Sequence, residues 1–410
     1  MVLKIDKSLD FKADRNLILK ADRIITGDGK TVLDNGAVCI SEDKITDVAD
    51  FSVIKGKFPD AKVVEYPGHT ILPGMIDMHV HVGYKWNHPD TAGYNDFLIA
   101  YLAADYAKAA FSKGVTTIRD ATSPKNLCAS MVIAARKGYI EVPRIIHADE
   151  ALCFTGGHDW EHSNEVNGPW NIRAAIRDAV KRGADWIKIM ASHRTDTPEY
   201  TQEELDAAVH ESHRLGKKIA VHAGTQPSIQ MCIDAGFDTI EHGTYLTVKQ
   251  AGQMAEKGIV WVPTIVAYTS TYERIAESMQ GGCTIQADFI EHYEYFRRAA
   301  EAYRNNFEAL YRTGVKIVTG TDVVYAGREV TPIAEELRYM TSYGMPVLEA
   351  IRAATKSGAE TLGLDDITGE IAAGKQADLV IVEGNPLEDI CVMRNVREVC
   401  FGGKRMSFPR

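Results

Sequence analysis

The chain has 410 residues, 45% of them hydrophobic and 25% charged, an ordinary composition for a soluble globular protein and a length that suits one large unit plus a smaller one. The net charge of −10 argues against nonspecific binding to nucleic acid or to an anionic membrane. No apolar run approaches the roughly 18 residues of a membrane span.

The opening MVLKIDKSLDFKADR is charged throughout and lacks an apolar core, which predicts no signal peptide. Residues 17–66 read as short β-type runs with turn signals. In VLDNGAVCISEDKITDVA the pair Asn35-Gly36 predicts a hairpin, because both residue types tolerate positive φ. From TILPGMIDMHVH onward the pattern changes. Short apolar runs recur at VTTIRDA, RIIHADEAL, DWIKIMA, KKIAVHAG, FDTIEHGT, KGIVWVPT and VKIVTGTD, most of them separated by helical patterns. In TQEELDAAVHESHRLGK, Thr201 is a candidate N-cap, Glu204 completes a capping box and Gly216 supplies the stop. Eight strands alternating with helices predict an α/β fold, a (β/α)8 TIM barrel over residues 70–365. A doubly wound open sheet is the alternative, but no GxGxxG follows a first strand. After the barrel, GEIAAGKQADLVIVEG and VREVCFGGKR return to strand and turn, with a hairpin expected around Gly402-Gly403. The two ends, 1–69 and 366–410, are therefore expected to form one small β-sandwich domain. The seven cysteines (Cys39, Cys128, Cys153, Cys232, Cys283, Cys391, Cys400) are scattered, with no CxxC, and read as reduced thiols in a cytoplasmic protein.

The polar residues inside these runs are the unusual feature. His79 and His81 end the first strand; two apart, they share a face. Lys188 lies inside the fourth strand, His222 ends the fifth, His242 the sixth and Asp322 the eighth. The C-terminal ends of barrel strands meet at one mouth, where active sites are built. Alone, an HxH pair is weak evidence of metal, a buried Lys is ordinarily an ion-pair partner, and an Asp after Gly-Thr is ordinarily a turn. Together the six predict a metal centre. Among the other histidines, His210 and His213 fall on the polar side of a helix, and His69, His88, His147 and His292 read as surface or structural. His158 follows FTGG on a glycine-rich mouth loop and is a functional candidate; His162 and His193 are weaker ones. Trp160 and Trp170 in the loop after the third strand are pocket candidates whose ordinary role would be packing.

With these residues assembled, the chain resembles the amidohydrolase superfamily over nearly its whole length, through LPGMIDMHVH, IEHGT, GTD and TGEIAAGKQADLVIVEGNP. TTIRDA, FTGGH and WIKIMAS are similar to the branch of metal-dependent prolidases, Xaa-Arg/Lys carboxypeptidases and ochratoxinase-type amidases, close to imidazolonepropionase-like proteins. The resemblance implies two divalent metal ions: one held by His79, His81 and Asp322, the other by His222 and His242. Lys188, carboxylated by CO2, would bridge them together with a hydroxide. It also implies that His158 and Tyr245 contact the substrate carbonyl or carboxylate. An ammonium cannot ligate a cation, but burial beside two cations depresses an amine's pKa, and a neutral amine can add CO2 to become an anionic oxygen ligand. Two divalent ions less carbamate, Asp322 and hydroxide leave a net charge of roughly +1, which suits a substrate carboxylate or a developing oxyanion. Zinc is the expected ion, with cobalt or manganese as alternatives.

The expected function is amide hydrolysis of a dipeptide (Xaa-Pro or similar) or an N-acyl amino acid, by a metal-bridged hydroxide with Asp322 as proton shuttle. The alternative is a cyclic-amide hydrolase of the imidazolonepropionase or hydantoinase kind. A deaminase would place a Glu soon after the fifth-strand His, whereas His222 is followed by AGTQP. A non-catalytic scaffold would be expected to have lost ligands, and all six are present. One departure from the branch stands out: after WIKIMAS the chain reads HRTDTPEY instead of glycines, which places His193 and Arg194 at the mouth as substrate-binding candidates. Arg328 is a further candidate, able to form a bidentate pair with a substrate carboxylate. The expected partners are a small-molecule amide or dipeptide and further copies of the chain, with no nucleic acid and no membrane.

Overall fold

The computed structural model describes residues 16–84, 95–192, 197–281, 292–322 and 332–406. Its N-terminal part is β1 (Leu17–Ile25), β2 (Val32–Asp34), β3 (Gly36–Ser41), β4 (Lys44–Asp50) and β5 (Lys62–Pro73). Alternation sets the two faces of β1. Leu17, Leu19 and Ala21 pack with Val38, Ile40 and Ile71, whereas Ile18 packs with Ala37, Cys39 and Ile54 on the opposite face.

Asn35-Gly36 corrects the sequence expectation. β2 and β3 both lie antiparallel to β1, with Ile24 opposite Leu33 and Leu19 opposite Val38, so the pair interrupts one continuous run instead of turning a hairpin. Asn35 does adopt φ 49°, but the register on β1 runs on unchanged across it, its N–H donating to the Asp22 carbonyl at 2.7 Å. The turn of this region falls at Glu42, where β3 meets β4.

The run TILPGMIDMHVH splits at Gly74. Residues up to Pro73 belong to the terminal sheet, and β6 (Met75–Val80) opens the barrel. A Cβ on Gly74 would stand 2.1 Å from Thr116 Oγ1, so only glycine passes there. β6 pairs in parallel with β7 (Val115–Asp120), and β7 with β8 (Arg144–His147). A second parallel sheet contains β9 (Leu152–Cys153), β10 (Asn164–Glu165), β11 (Trp186–Met190), β12 (Lys218–Ala223), β13 (Thr239–His242) and β14 (Val260–Val262). The third predicted strand is thus in two pieces, β8 and β9. The eighth is a single parallel bridge, Trp261 to Ile317.

Backbone hydrogen bonds close the ring. Asp185 N–H donates to the His147 carbonyl at 2.9 Å, joining the two sheets on one side. On the other, Val318 N–H donates to Trp261, Met78 N–H to Thr319 and Asp322 N–H to His79, the last at 2.8 Å. Gly320 lets this last segment lie against the first strand: a Cβ there would sit 2.8 Å from His79 Cβ and 2.5 Å from Val262 Cγ1. The fold is α/β, a TIM barrel beside a mixed terminal sheet.

The outer faces of the strands bury Ile118, Ile145, Ile187, Ile189, Val221 and Ile240 against helix residues such as Ile172, Ile176 and Leu205. Each such side chain contributes about 1.5–3 kcal/mol of transfer free energy. The helix Gln202–Arg214 starts on the expected capping box between Thr201 and Glu204. Among the described residues no helix is long and apolar enough to cross a membrane, and the six described cysteines are free. β15 (Leu379–Glu383), β16 (Val396–Phe401) and β17 (Lys404–Met406) complete the terminal sheet, β15 pairing with β5. The β16–β17 hairpin turns at Gly402 and Gly403, both at positive φ, as expected.

Candidate metal centre

Asp77, His79 and His81 alternate along the first strand and its exit, all buried. Asp77 fixes the facing segment: its Oδ1 accepts from Thr321 N–H at 3.0 Å and its Oδ2 from the Thr321 hydroxyl at 2.8 Å. Asp322 follows in left-handed backbone, φ 53°, which turns its carboxylate over the histidines. His79 Nε2 and His81 Nε2 are 3.2 Å apart, and Asp322 Oδ1 lies 3.5 and 3.0 Å from them. These three ligand atoms lie within 4.8 Å of one another.

Alternation along β13 directs Glu241 into the barrel, so His242 would face away. It reaches the mouth because its φ is 64°, and its Nδ1 lies 3.8 Å from Asp322 Oδ2. The His222 ring centroid is 4.4 Å from that of His242, and the His158 ring is 4.0 Å from His222. Lys188 is 1% exposed, and among the described residues its Nζ has no hydrogen-bond partner. Tyr245 is half-buried. It lines a cavity of about 280 Å³ with Gln226, Leu246, Thr247, Val248, Asn306 and Leu310. His193, Arg194 and Arg328 lie outside the described residues. Trp160 and Trp170 are exposed, at 53% and 79%.

The electrostatics of the cluster are those of a cation site. Burial pushes His79 and His222 well below the ordinary imidazole value and His242 down to about 3. Burial opposes charge on His81 too, but the Asp322 carboxylate beside it raises it. Burial also works against ionisation of Asp322, yet His79, His81 and His242 hold its carboxyl below the usual range. Burial lowers the Lys188 amine to about 8, against the pull of Glu241 and Asp322. Imidazoles, of which burial keeps His79, His222 and His242 neutral, with an ionised carboxylate and a buried amine, are a donor set that fits divalent ions of borderline softness.

Residues that sequence reading passed over surround this set. Glu241 Oε2 lies 2.6 Å from His79 Nδ1, and its Oε1 pairs with Arg119 Nη2 at 2.7 Å. Arg119, 1% exposed, also donates to the Met78 carbonyl at 2.6 Å and stacks over Trp186. Tyr84 stacks on His81, with ring centroids 4.1 Å apart, and on His162 at 4.5 Å; both Tyr84 and His162 hydrogen-bond Asp159. The strand alternation in TTIRDA and IEHGT places Arg119 and Glu241 inward and was the available signal.

A closed parallel barrel with its polar residues gathered at the strand ends defines a TIM-barrel enzyme. The sequence model of the Amidohydrolase family matches residues 70–406, and the chain belongs to that family. It is 29% identical to ochratoxinase of Aspergillus niger over 438 aligned residues, covering 96% of this chain and 87% of that one. It is similar to the crystal structure of a Xaa-Pro dipeptidase with methionine in its active site, with a TM-score of 0.83 and 31% identity over 96% of this chain and all of the other. A prolidase complexed with N-methylphosphonate-L-proline gives a TM-score of 0.81 and 28% identity over 95% and 99% of the two chains. The protein is a hydrolase acting on carbon–nitrogen bonds, in a family of metal-dependent amide hydrolases.

Proposed function

We propose that the protein is an amidase that cuts a linear amide next to a free carboxylate, in a dipeptide of the Xaa-Pro kind or an N-acyl amino acid. The convergence of His79, His81 and Asp322 beside the unpartnered Lys188 amine carries this reading. The similarity to a Xaa-Pro dipeptidase, a prolidase and ochratoxinase supports the substrate class.

In this reading His79, His81 and Asp322 would hold one ion, zinc by preference, and His222 and His242 would hold a second. The Lys188 nitrogen would form a bond to CO2 and release a proton, and the resulting carbamate would offer anionic oxygen ligands to the ions. The two ions, when bound, supply Lewis acidity and lower the pKa of a water from about 15.7 to about 7. Asp322 receives the proton of the attacking water at its carboxylate and delivers it to the leaving nitrogen. His158 and Tyr245 hold the carbonyl oxygen as it gains charge, or the substrate carboxylate. His193, Arg194 and Arg328 bind the substrate's anionic end. The hydrolase barrel runs from Met75 to about residue 365, with the strands up to Pro73 and β15–β17 forming the terminal β unit.

Amine release from Xaa-Pro, Xaa-Arg, Xaa-hydrophobic and N-acyl amino acids, with cyclic amides alongside, tests the reading. Turnover of one linear class that is lost in Asp322→Asn is expected. Turnover confined to a cyclic amide would replace it with the imidazolonepropionase- or hydantoinase-like alternative.

A further inference from the structure

We propose that Thr264 and Glu336 are positioning residues for His242, acting through the head of the helix Ile265–Met279; this rests on the reading above that His242 holds the second ion. Thr264 follows β14 and is the N-cap of that helix. An N-cap threonine ordinarily turns its hydroxyl back onto a free N–H of the first turn. Thr264 makes no such bond. Its hydroxyl instead lies 2.7 Å from His242 Nδ1.

The helix head is satisfied from elsewhere. Glu336, 0% exposed on the helix Pro332–Ser342, accepts Ile265 N–H at 3.0 Å and Val266 N–H at 2.7 Å, one with each carboxylate oxygen. A carboxyl group from another helix thus does the capping, and the threonine hydroxyl is left for the imidazole. The backbone at Thr264 is left-handed, φ 50°. For a β-branched residue this conformation costs about 1–3 kcal/mol and persists only where the surroundings impose it.

The imposition is visible on both sides. The Tyr303 hydroxyl donates to the Pro263 carbonyl at 2.8 Å and lies 3.1 Å from that of His242. Trp261 Nε1–H donates to the same His242 carbonyl at 2.7 Å. With the backbone of His242 held and its Nδ1 occupied by Thr264, Nε2 is the nitrogen left for an ion, and the ring plane is set. Asp322 Oδ2, 3.8 Å from Nδ1, is too distant to compete with Thr264 for that nitrogen.

The test is zinc binding to the metal-free full-length chain, read by chelator competition, with the thermal midpoint of the same metal-free samples. Wild type is expected to take up two equivalents, and His242→Asn to lose the second. Thr264→Val, which keeps the shape and removes the hydroxyl, should weaken the second equivalent by about 10- to 100-fold and leave the first unchanged. Thr264→Ser should restore it, and Glu336→Ala should behave as Thr264→Val does. If Glu336→Ala does not fold, the Val and Ser pair decides. A lower thermal midpoint with the second equivalent intact in Thr264→Val would show a merely structural role and overturn the proposal. Two intact equivalents in His242→Asn, or only one in wild type, would overturn the reading of His242 and the proposal with it.

Discussion

Glu241 Oε2 lies 2.6 Å from His79 Nδ1, a carboxylate and an imidazole buried together at the centre of the barrel. The contact makes Nδ1 the hydrogen-bearing nitrogen and leaves Nε2 bare toward His81 and Asp322. It also fixes the ring, because Glu241 is itself held by Arg119 and by the Thr239 hydroxyl. In Glu241→Gln the amide must set its NH2 against either Arg119 or His79. A drop of about 10- to 100-fold in affinity for the first zinc equivalent is expected, read by chelator competition.

Arg119 is the other half of this pair. Both side chains are almost wholly excluded from solvent, so removing the guanidinium leaves a carboxylate without its counter-charge. Arg119→Met should destabilise the fold by about 3–5 kcal/mol, measured by urea unfolding of the metal-free protein. The double variant Arg119→Met with Glu241→Leu should recover much of that loss while remaining unable to bind the first ion tightly.

The site was legible where local pattern decides it. The HxH pair, the buried Lys188 and the strand-end His222 follow from position along a strand, and their meeting follows from the barrel. Other features depend on backbone geometry that composition does not reveal. His242 reaches the mouth through a left-handed φ, one residue after Glu241 has taken the inward position. Asn35-Gly36 has the residues of a hairpin yet stays in one continuous register, because β1 is long enough to pair with both flanking segments. Arg119 and Glu241 are 122 residues apart, so their pairing emerges only when β7 and β13 face each other across the barrel. Gly74 sits inside an apolar run whose pattern gives no sign that it divides two sheets.

Lys188 offers a test through CO2. Its amine is buried and lowered to about 8 by burial, so near pH 8 about half of it is neutral and able to react. Metal-free protein kept in CO2-free buffer should take up its two zinc equivalents only after bicarbonate is added. Lys188→Met should not respond to bicarbonate. Equal uptake with and without bicarbonate would remove carboxylation from the account.

Glu199 gives the fold a pH dependence. Its Oε1 accepts from His158 N–H at 2.9 Å, beneath the FTGGH turn. Burial pushes its carboxyl up from the ordinary 4.5 to about 7, although that N–H pulls the other way. The fold therefore favours the protonated form, and stability is lost as pH rises from about 4.5 to about 7. Glu199→Gln keeps an acceptor for His158 and removes this dependence. Relative to wild type, the variant should gain about 1 kcal/mol between pH 5 and pH 8, the value being small because the carboxyl is partly exposed. Chemical denaturation at the two pH values checks it.

The most direct measurement is anomalous diffraction from crystals grown with zinc, collected on either side of the zinc absorption edge. Two peaks about 3.5–4 Å apart are expected. One should be bounded by His79, His81 and Asp322, the other by His222 and His242, with added density on Lys188 Nζ between them. A single peak beside a bare Lys188 amine would contradict the binuclear centre and the mechanism built on it.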